Sequence, residues 1–228
     1  MDFQRYIKNM DTFSREQIEI CLKKQVAVIG CGGLGGYVIS ALARFGIGSL
    51  ILVDGDIFVE SNLNRQLFSK NDTLGKNKAL SAKEAIAEIN PDVDVIAISE
   101  NLTIENASGI MENCDIAVDC LDNIPSRLVL QNTCKALGIP FIHGAIDGFL
   151  GQVSVVFPDD NTLDELYLEL TADIGFHESQ GNPGFTTMLI GAIQAAETIK
   201  LLTGISKERE KKLIIADLLN MEFDIVTM

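Results

Sequence analysis

The feature that most restricts this chain is a glycine cluster. A short continuous apolar run at residues 26–29 breaks into glycines at positions 30, 32, 33, 35 and 36, and apolar residues at helical spacing resume over 38–45. A strand covered on both faces reads as such a run. Glycines that follow it permit a tight turn into a helix and let the backbone approach a ligand closely. A second buried strand, 49–53, apolar from Leu50 onward, ends at Asp54 and Asp56, so residues 26–54 form one β-α-β unit. In such a unit the spacing of Gly30, Gly32 and Gly35, with Gly33 between them, places a pyrophosphate at a helix N-terminus. Asp54, at the end of the second strand, is the acid that can hold a ribose.

The same region runs uncharged from 26 to 43, long enough to raise the question of a membrane span. Its five glycines and its change of pattern make strand, loop and helix the better reading, and no membrane association is expected. With 228 residues, 47% of them hydrophobic, the chain fits one large α/β domain spanning 1–228.

The remaining pattern supports that class. Residues 1–24 read as a polar helical segment, with Ser14 and Gln17 placed as a capping box. A helix over 76–89 stops at Asn90-Pro91, and strands follow at 93–98 and 115–119. A helix over 126–137 closes at Gly138, and a strand begins at 140. Residues 151–157 alternate as an antiparallel strand would, 185–202 return to helical periodicity, and 212–217 supply a last strand. Between them, 158–183 is acidic and poor in pattern, and a mobile loop is expected there. The fold expected is Rossmann-like: a mainly parallel sheet, helices on both faces, and antiparallel strands added near the C-terminus.

Eighteen basic residues stand against 32 acidic ones, a formal charge of -14, which repels phosphate backbones and makes a nucleic-acid partner unlikely in this reading. The first ten residues lack a secretory pattern, so a cytoplasmic location is expected. Cysteines at 21, 31, 114, 120 and 134 include no pair separated by two residues, and they read as buried reduced thiols with no zinc site. His143 and His177 are the only histidines; the first reads as a packed residue, the second as solvent-exposed.

The segment after Asp54 narrows the ligand. Asp54, Asp56, Asn62, Asn64, Arg65 and Gln66 crowd into residues 54–66, and Lys78 follows. A dinucleotide oxidoreductase has no evident use for an arginine and a lysine converging there. A triphosphate has, since Arg offers a planar fork of donors and Lys a compact positive point.

Five segments together resemble the ThiF/MoeB/HesA family, whose members activate ubiquitin-like sulfur carriers: VAVIGCGGLGG, DGDIFVESNLNRQ, LGKNKA, DCLDN and GFTTMLIGAIQAAETIKLLTG, in the family's order over residues 26–204. The resemblance implies ATP and Mg²⁺ as cofactors. Asp54 would hold the ribose; Asn62, Arg65 and Gln66 would reach the phosphates; Lys78 would lie near the α-phosphate; Asp122 would bind Mg²⁺. It further implies a homodimer and a small ubiquitin-like partner ending in Gly-Gly, of the ThiS or MoaD type, whose terminal carboxylate becomes an acyl-adenylate. The chain departs from the family in three places. The zinc-binding Cys-x-x-Cys pairs are missing, the sulfur-transfer cysteine corresponds to Gln180, and the arginine that reaches ATP across the dimer corresponds to Lys8, with Arg5 as the other basic residue nearby.

Other readings stay open at this stage. The acyl group could belong to a peptide or to a modified tRNA nucleoside, the domain could be a nucleotide-holding scaffold, or the glycine turn and Asp54 could serve NAD.

Overall fold

The computed structural model describes residues 3–173, 181–205 and 211–228. A 3-10 helix, Phe3–Asn9, leads into α1 (Arg15–Cys21). The alternating unit follows as β1 (Gln25–Ile29), α2 (Gly33–Phe45), β2 (Ser49–Val53), α3 (Lys78–Ile89), β3 (Asp94–Ile98), α4 (Ala107–Met111), β4 (Ile116–Asp119), α5 (Ile124–Leu137) and β5 (Phe141–Asp147). The chain ends with β6 (Leu150–Val156), α6 (Thr162–Asp173), α7 (Gly184–Thr203), β7 (Lys212–Asp217) and β8 (Glu222–Thr227).

These strands form one sheet in the order β3-β2-β1-β4-β5-β6-β7-β8. Pairing is parallel from β3 through β5 and antiparallel from β5 to β8. The order reverses direction between β1 and β4, the switch point where open α/β sheets leave a crevice at the carboxyl ends of their strands.

Period-two alternation along β1 divides the core. Val26 and Val28 pack with Leu42 of α2, Ile86 of α3 and Ile199 of α7 on one face. Ala27 and Ile29 pack with Met111 of α4, Leu130 of α5 and Leu163 of α6 on the other. Helices thus cover both faces, as expected. Capping is as the sequence predicts at α1, where the Ser14 hydroxyl accepts from the Gln17 N–H and the Gln17 side chain accepts from the Ser14 N–H. The helix expected from residue 76 starts at Lys78 because Asn77 caps it, accepting from the Leu80 N–H at 3.1 Å.

Part of the 158–183 stretch, expected as loop, is helix: α6 docks on α5, with the Gln131 side chain accepting the Leu163 N–H at 2.8 Å and donating to Asp164 at 2.9 Å. The apolar residues Leu163, Leu166 and Tyr167 stand at helical spacing and reach the core, while the acids between them conceal the pattern. Residues 174–180 of that stretch, with His177 and Gln180, lie outside the described residues.

The helix α7 is long and apolar enough by composition to cross a membrane, yet half of it is buried inside the fold. Its inner face carries Ile190 and Ile199 together with Gln194 and Thr198, which are hydrogen-bonded.

All five cysteines are free and buried. Burial pushes the Cys21 thiol up to about 11 and the Cys114 thiol up to about 12. Thiolate, the reactive form, is therefore scarce at neutral pH. A disulfide reagent at pH 8 should label the native protein slowly, and five thiols should appear on unfolding in denaturant. Rapid labelling of native protein would contradict this burial.

Candidate active site

The site begins at the turn between β1 and α2. Gly30 has φ +96°, and a Cβ there would lie 2.6 Å from the Cys120 carbonyl oxygen. A Cβ on Gly35 would lie 1.9 Å from the Gly30 carbonyl oxygen, so this third glycine serves close packing of helix on strand. Gly32 is the N-cap of α2 and offers no side chain to the first-turn N–H groups, which leaves the positive end of the helix dipole available to an anion.

Beyond the turn lies a cleft of about 540 Å³. Nine of the residues singled out in the sequence line it: Gly30, Gly32, Gly33, Asp54, Asp56, Arg65, Gln66, Lys78 and Asp122. They come from the ends of β1 and β2, the segment after β2, the start of α3 and the loop after β4.

Asp54 is held by two backbone donors, the Cys31 N–H at 2.7 Å and the Asp56 N–H at 2.9 Å. Burial raises its pKa, and those two donors oppose the shift. The Asn77 side chain donates to the Asp54 and Asp56 carbonyls, tying the start of α3 to this segment. Lys78 is buried and pairs with Asp56 at 2.8 Å. The Nη1 of Arg65 donates to the Ser61 carbonyl and to Asn64, both at 2.9 Å, fixing the guanidinium at the cleft wall. Gln66 is buried beside Gly32, and its Oε1 has no protein partner. A buried polar atom of that kind calls for a polar ligand or water.

Three expected residues are not on the cleft wall. Gly35 packs beneath it, as above. Asn62 was expected to reach phosphates; instead its buried side chain accepts the Val59 N–H at 3.0 Å, and its carbonyl accepts the N–H groups of Arg65 and Gln66. Its geometry fits positioning of those two residues, because its Oδ1 and its carbonyl are both spent on the turn. Lys8 belongs to the 3-10 helix whose Tyr6 packs against Gly46 and accepts a hydrogen bond from Asn90. That seat is at the far end of α2, roughly 20 Å from the glycine turn at 1.5 Å per helical residue. The guanidinium of Arg5 donates to the Ile89 carbonyl at 2.8 Å, closing the end of α3.

The residues fit a nucleoside triphosphate with its metal. Uncapped helix N–H groups, Arg65 and Lys78 suit phosphates, and Asp54 suits a ribose. Among the described residues no three His, Cys, Asp or Glu side chains converge as a metal cage. The exposed carboxylate of Asp122, which carries no cation partner in an ion pair among the described residues, matches Mg²⁺, which is commonly held by one or two carboxylates together with substrate phosphates and water.

Below the cleft floor lies a polar group that the sequence gave little reason to expect. Asp119, at the end of β4, is fully buried against the His143 Nδ1 at 2.7 Å, and the His143 Nε2 meets Gln152 at 3.1 Å. Burial lowers the His143 pKa, and Asp119 opposes that. The imidazole donates from Nδ1 to Asp119, and it is a packed residue as expected. Arg127 of α5, also at the cleft, lies alongside. The one hint in the sequence was its place one helical turn after Asn123, the N-cap that accepts the Ser126 N–H.

A glycine turn at the switch point of a doubly wound sheet, facing an acid at the end of β2 and two cations, defines a nucleotide-binding α/β protein. More narrowly, the chain belongs to the ThiF family, whose model matches residues 3–228, and it is an enzyme of the nucleotidyltransferase kind. It is 34% identical over 219 residues to the SAMP-activating enzyme E1 of Haloferax volcanii, covering 95% of this chain and 81% of that protein. It is 31% identical over 208 residues to the sulfur carrier protein ThiS adenylyltransferase of Escherichia coli, covering 90% and 83%. In fold it is similar to E. coli MccB crystallised with AMPCPP and MccA, with a TM-score of 0.84 at 21% identity, covering 100% of this chain and 72% of that one.

Proposed function

We propose that this enzyme uses ATP and Mg²⁺ to adenylate the C-terminal glycine carboxylate of a small ubiquitin-like carrier of the ThiS or MoaD type, releasing pyrophosphate. The observation that carries the reading is the convergence of Arg65, Lys78 and Asp122 on one cleft that opens from an uncapped helix N-terminus. Attack of a carboxylate on the α-phosphate brings two anions together, so fixed donors and cations supply what the reaction needs. A general base is unnecessary, because the nucleophile is already ionised.

In this reading the first turn of α2 and Arg65 hold the phosphates, Asp54 orients the ribose, and Lys78 faces the charge that develops at the α-phosphate. Asp122 would hold Mg²⁺, which neutralises the departing pyrophosphate. Asn62 acts through Arg65 and Gln66. Two of the relatives are named for carriers, SAMP and ThiS, which supports a carrier over a small acid. The charge of -14 disfavours a tRNA substrate. A homodimer belongs to the same reading: Lys8, held far from its own cleft, would then act on the cleft of a second copy. Five free cysteines suit the reducing cytoplasm.

Incubation with ATP, Mg²⁺ and a Gly-Gly-terminated carrier, followed by intact-mass measurement, should reveal carrier heavier by one AMP. Carrier that stays unmodified while a small carboxylic acid is adenylated would overturn the reading.

A further inference from the structure

The structure assigns to Arg127 the role of a positioning residue that sets Asp122 for the metal through the backbone of Leu121. This rests on the adenylation reading, in which Asp122 meets Mg²⁺.

Arg127 rises from the first turns of α5 and is buried. Its Nη2 donates to the Leu121 carbonyl, its Nη1 donates to the Tyr167 hydroxyl of α6, and its Nε lies 3.9 Å from Asp119. Asp119 in turn accepts the Leu121 N–H at 3.0 Å. The residue immediately before Asp122 is thus clamped on both of its backbone polar groups, by the two members of one buried ion pair. Asp122 itself is exposed; its side chain accepts a 3.2 Å hydrogen bond from Asn123 and feels the charge of the Arg127 guanidinium without a hydrogen bond to it. Its position is set from behind, by the backbone.

The chemistry of the clamp is that of a fork. A buried guanidinium gives up its hydration, and a well-packed apolar residue would often serve stability as well. What the guanidinium adds is reach in fixed directions: one group spans the end of β4, the loop and α6. Tyr167 holds the far side of that fork while its ring packs edge-on to His143 with centroids 6.1 Å apart. Asp119 is fixed by His143 from the other side. Lysine at 127 would keep the charge but could not satisfy Tyr167 and Leu121 in one geometry. Phenylalanine at 167 would keep the packing and drop one anchor.

The test is calorimetric binding of a non-hydrolysable ATP analogue to the full chain, in Mg²⁺ and in chelator; the ratio of the two dissociation constants is the metal enhancement. Asp122→Asn should remove most of it. Arg127→Lys and Tyr167→Phe should each lower it by about tenfold, the lower range for outer-shell partners of a metal ligand. The double variant Asp122→Asn/Arg127→Lys should be no worse than Asp122→Asn, because the two residues act along one path. A purely structural role would lower thermal stability and leave the enhancement at the parent value. That result, or additive losses in the double variant, overturns the assignment. If Asp122→Asn leaves the enhancement intact, the metal role of Asp122 fails, and the positioning role falls with it; if the parent does not bind the analogue at all, the adenylation reading fails first.

Discussion

Arg65→Ala should lower turnover in carrier adenylation by about 10² to 10³, or about 2.7–4 kcal/mol, the range seen when one preorganised donor to a developing oxyanion is removed. ATP affinity should fall with it, since the guanidinium meets phosphates in the ground state as well. The structure argues that this is a functional loss and not an unfolding one. Arg65 is half-buried at the cleft wall, and its Nη1 contacts are local, to Ser61 and Asn64. The turn that carries it is held separately, by the Asn62 carbonyl and the Ser69 hydroxyl. Thermal unfolding should therefore shift little. A variant with parental kcat and KM would mean that Arg65 is a surface cation beside an unrelated cleft.

Lys78→Ala should act on turnover more than on ATP affinity. Charge at the α-phosphate grows most in the transition state, so a loss on the order of 10² in kcat with a modest change in KM for ATP is expected. Removing Lys78 also leaves Asp56 unpaired, but that carboxylate is 64% exposed and rehydrates readily. The stability cost of losing the pair is accordingly about 1 kcal/mol or less. Equal weakening of kcat/KM and of equilibrium ATP binding would place Lys78 on the bound nucleotide's ground state instead. Steady-state rates beside direct binding measurements separate the two.

These two residues, with the glycines and Asp54, were legible because they stand within or soon after a recognisable β-α-β unit. Residues 26–29 and 50–53 are apolar without interruption, and the sheet buries both of their faces. Elsewhere the signal was local and weaker. The periodicity of α6 was hidden by acidic residues on its outer face. The terminal strand β8 is exposed along its whole length, so no burial pattern marks it, and only its pairing with β7 defines it. Asn62 sits in the same motif as Arg65 and Gln66, and sequence proximity alone could not reveal that its side chain turns inward to Val59. The Asp119, His143, Arg127 and Tyr167 group draws on four separate elements, which no stretch of sequence brings together. Arg127 and Tyr167, the residues that extend the account furthest, were for that reason the least legible.

The central claim is chemical: this cleft joins AMP to a carrier's terminal carboxylate. Exchange of labelled pyrophosphate into ATP measures that step and its reversal directly. With Mg²⁺ and a carrier ending in Gly-Gly, the account predicts exchange that disappears when the last glycine is removed or its carboxylate is amidated, and that Arg65→Ala and Lys78→Ala suppress. Nucleotide binding without any exchange, or exchange that proceeds equally well without a carrier, would contradict it.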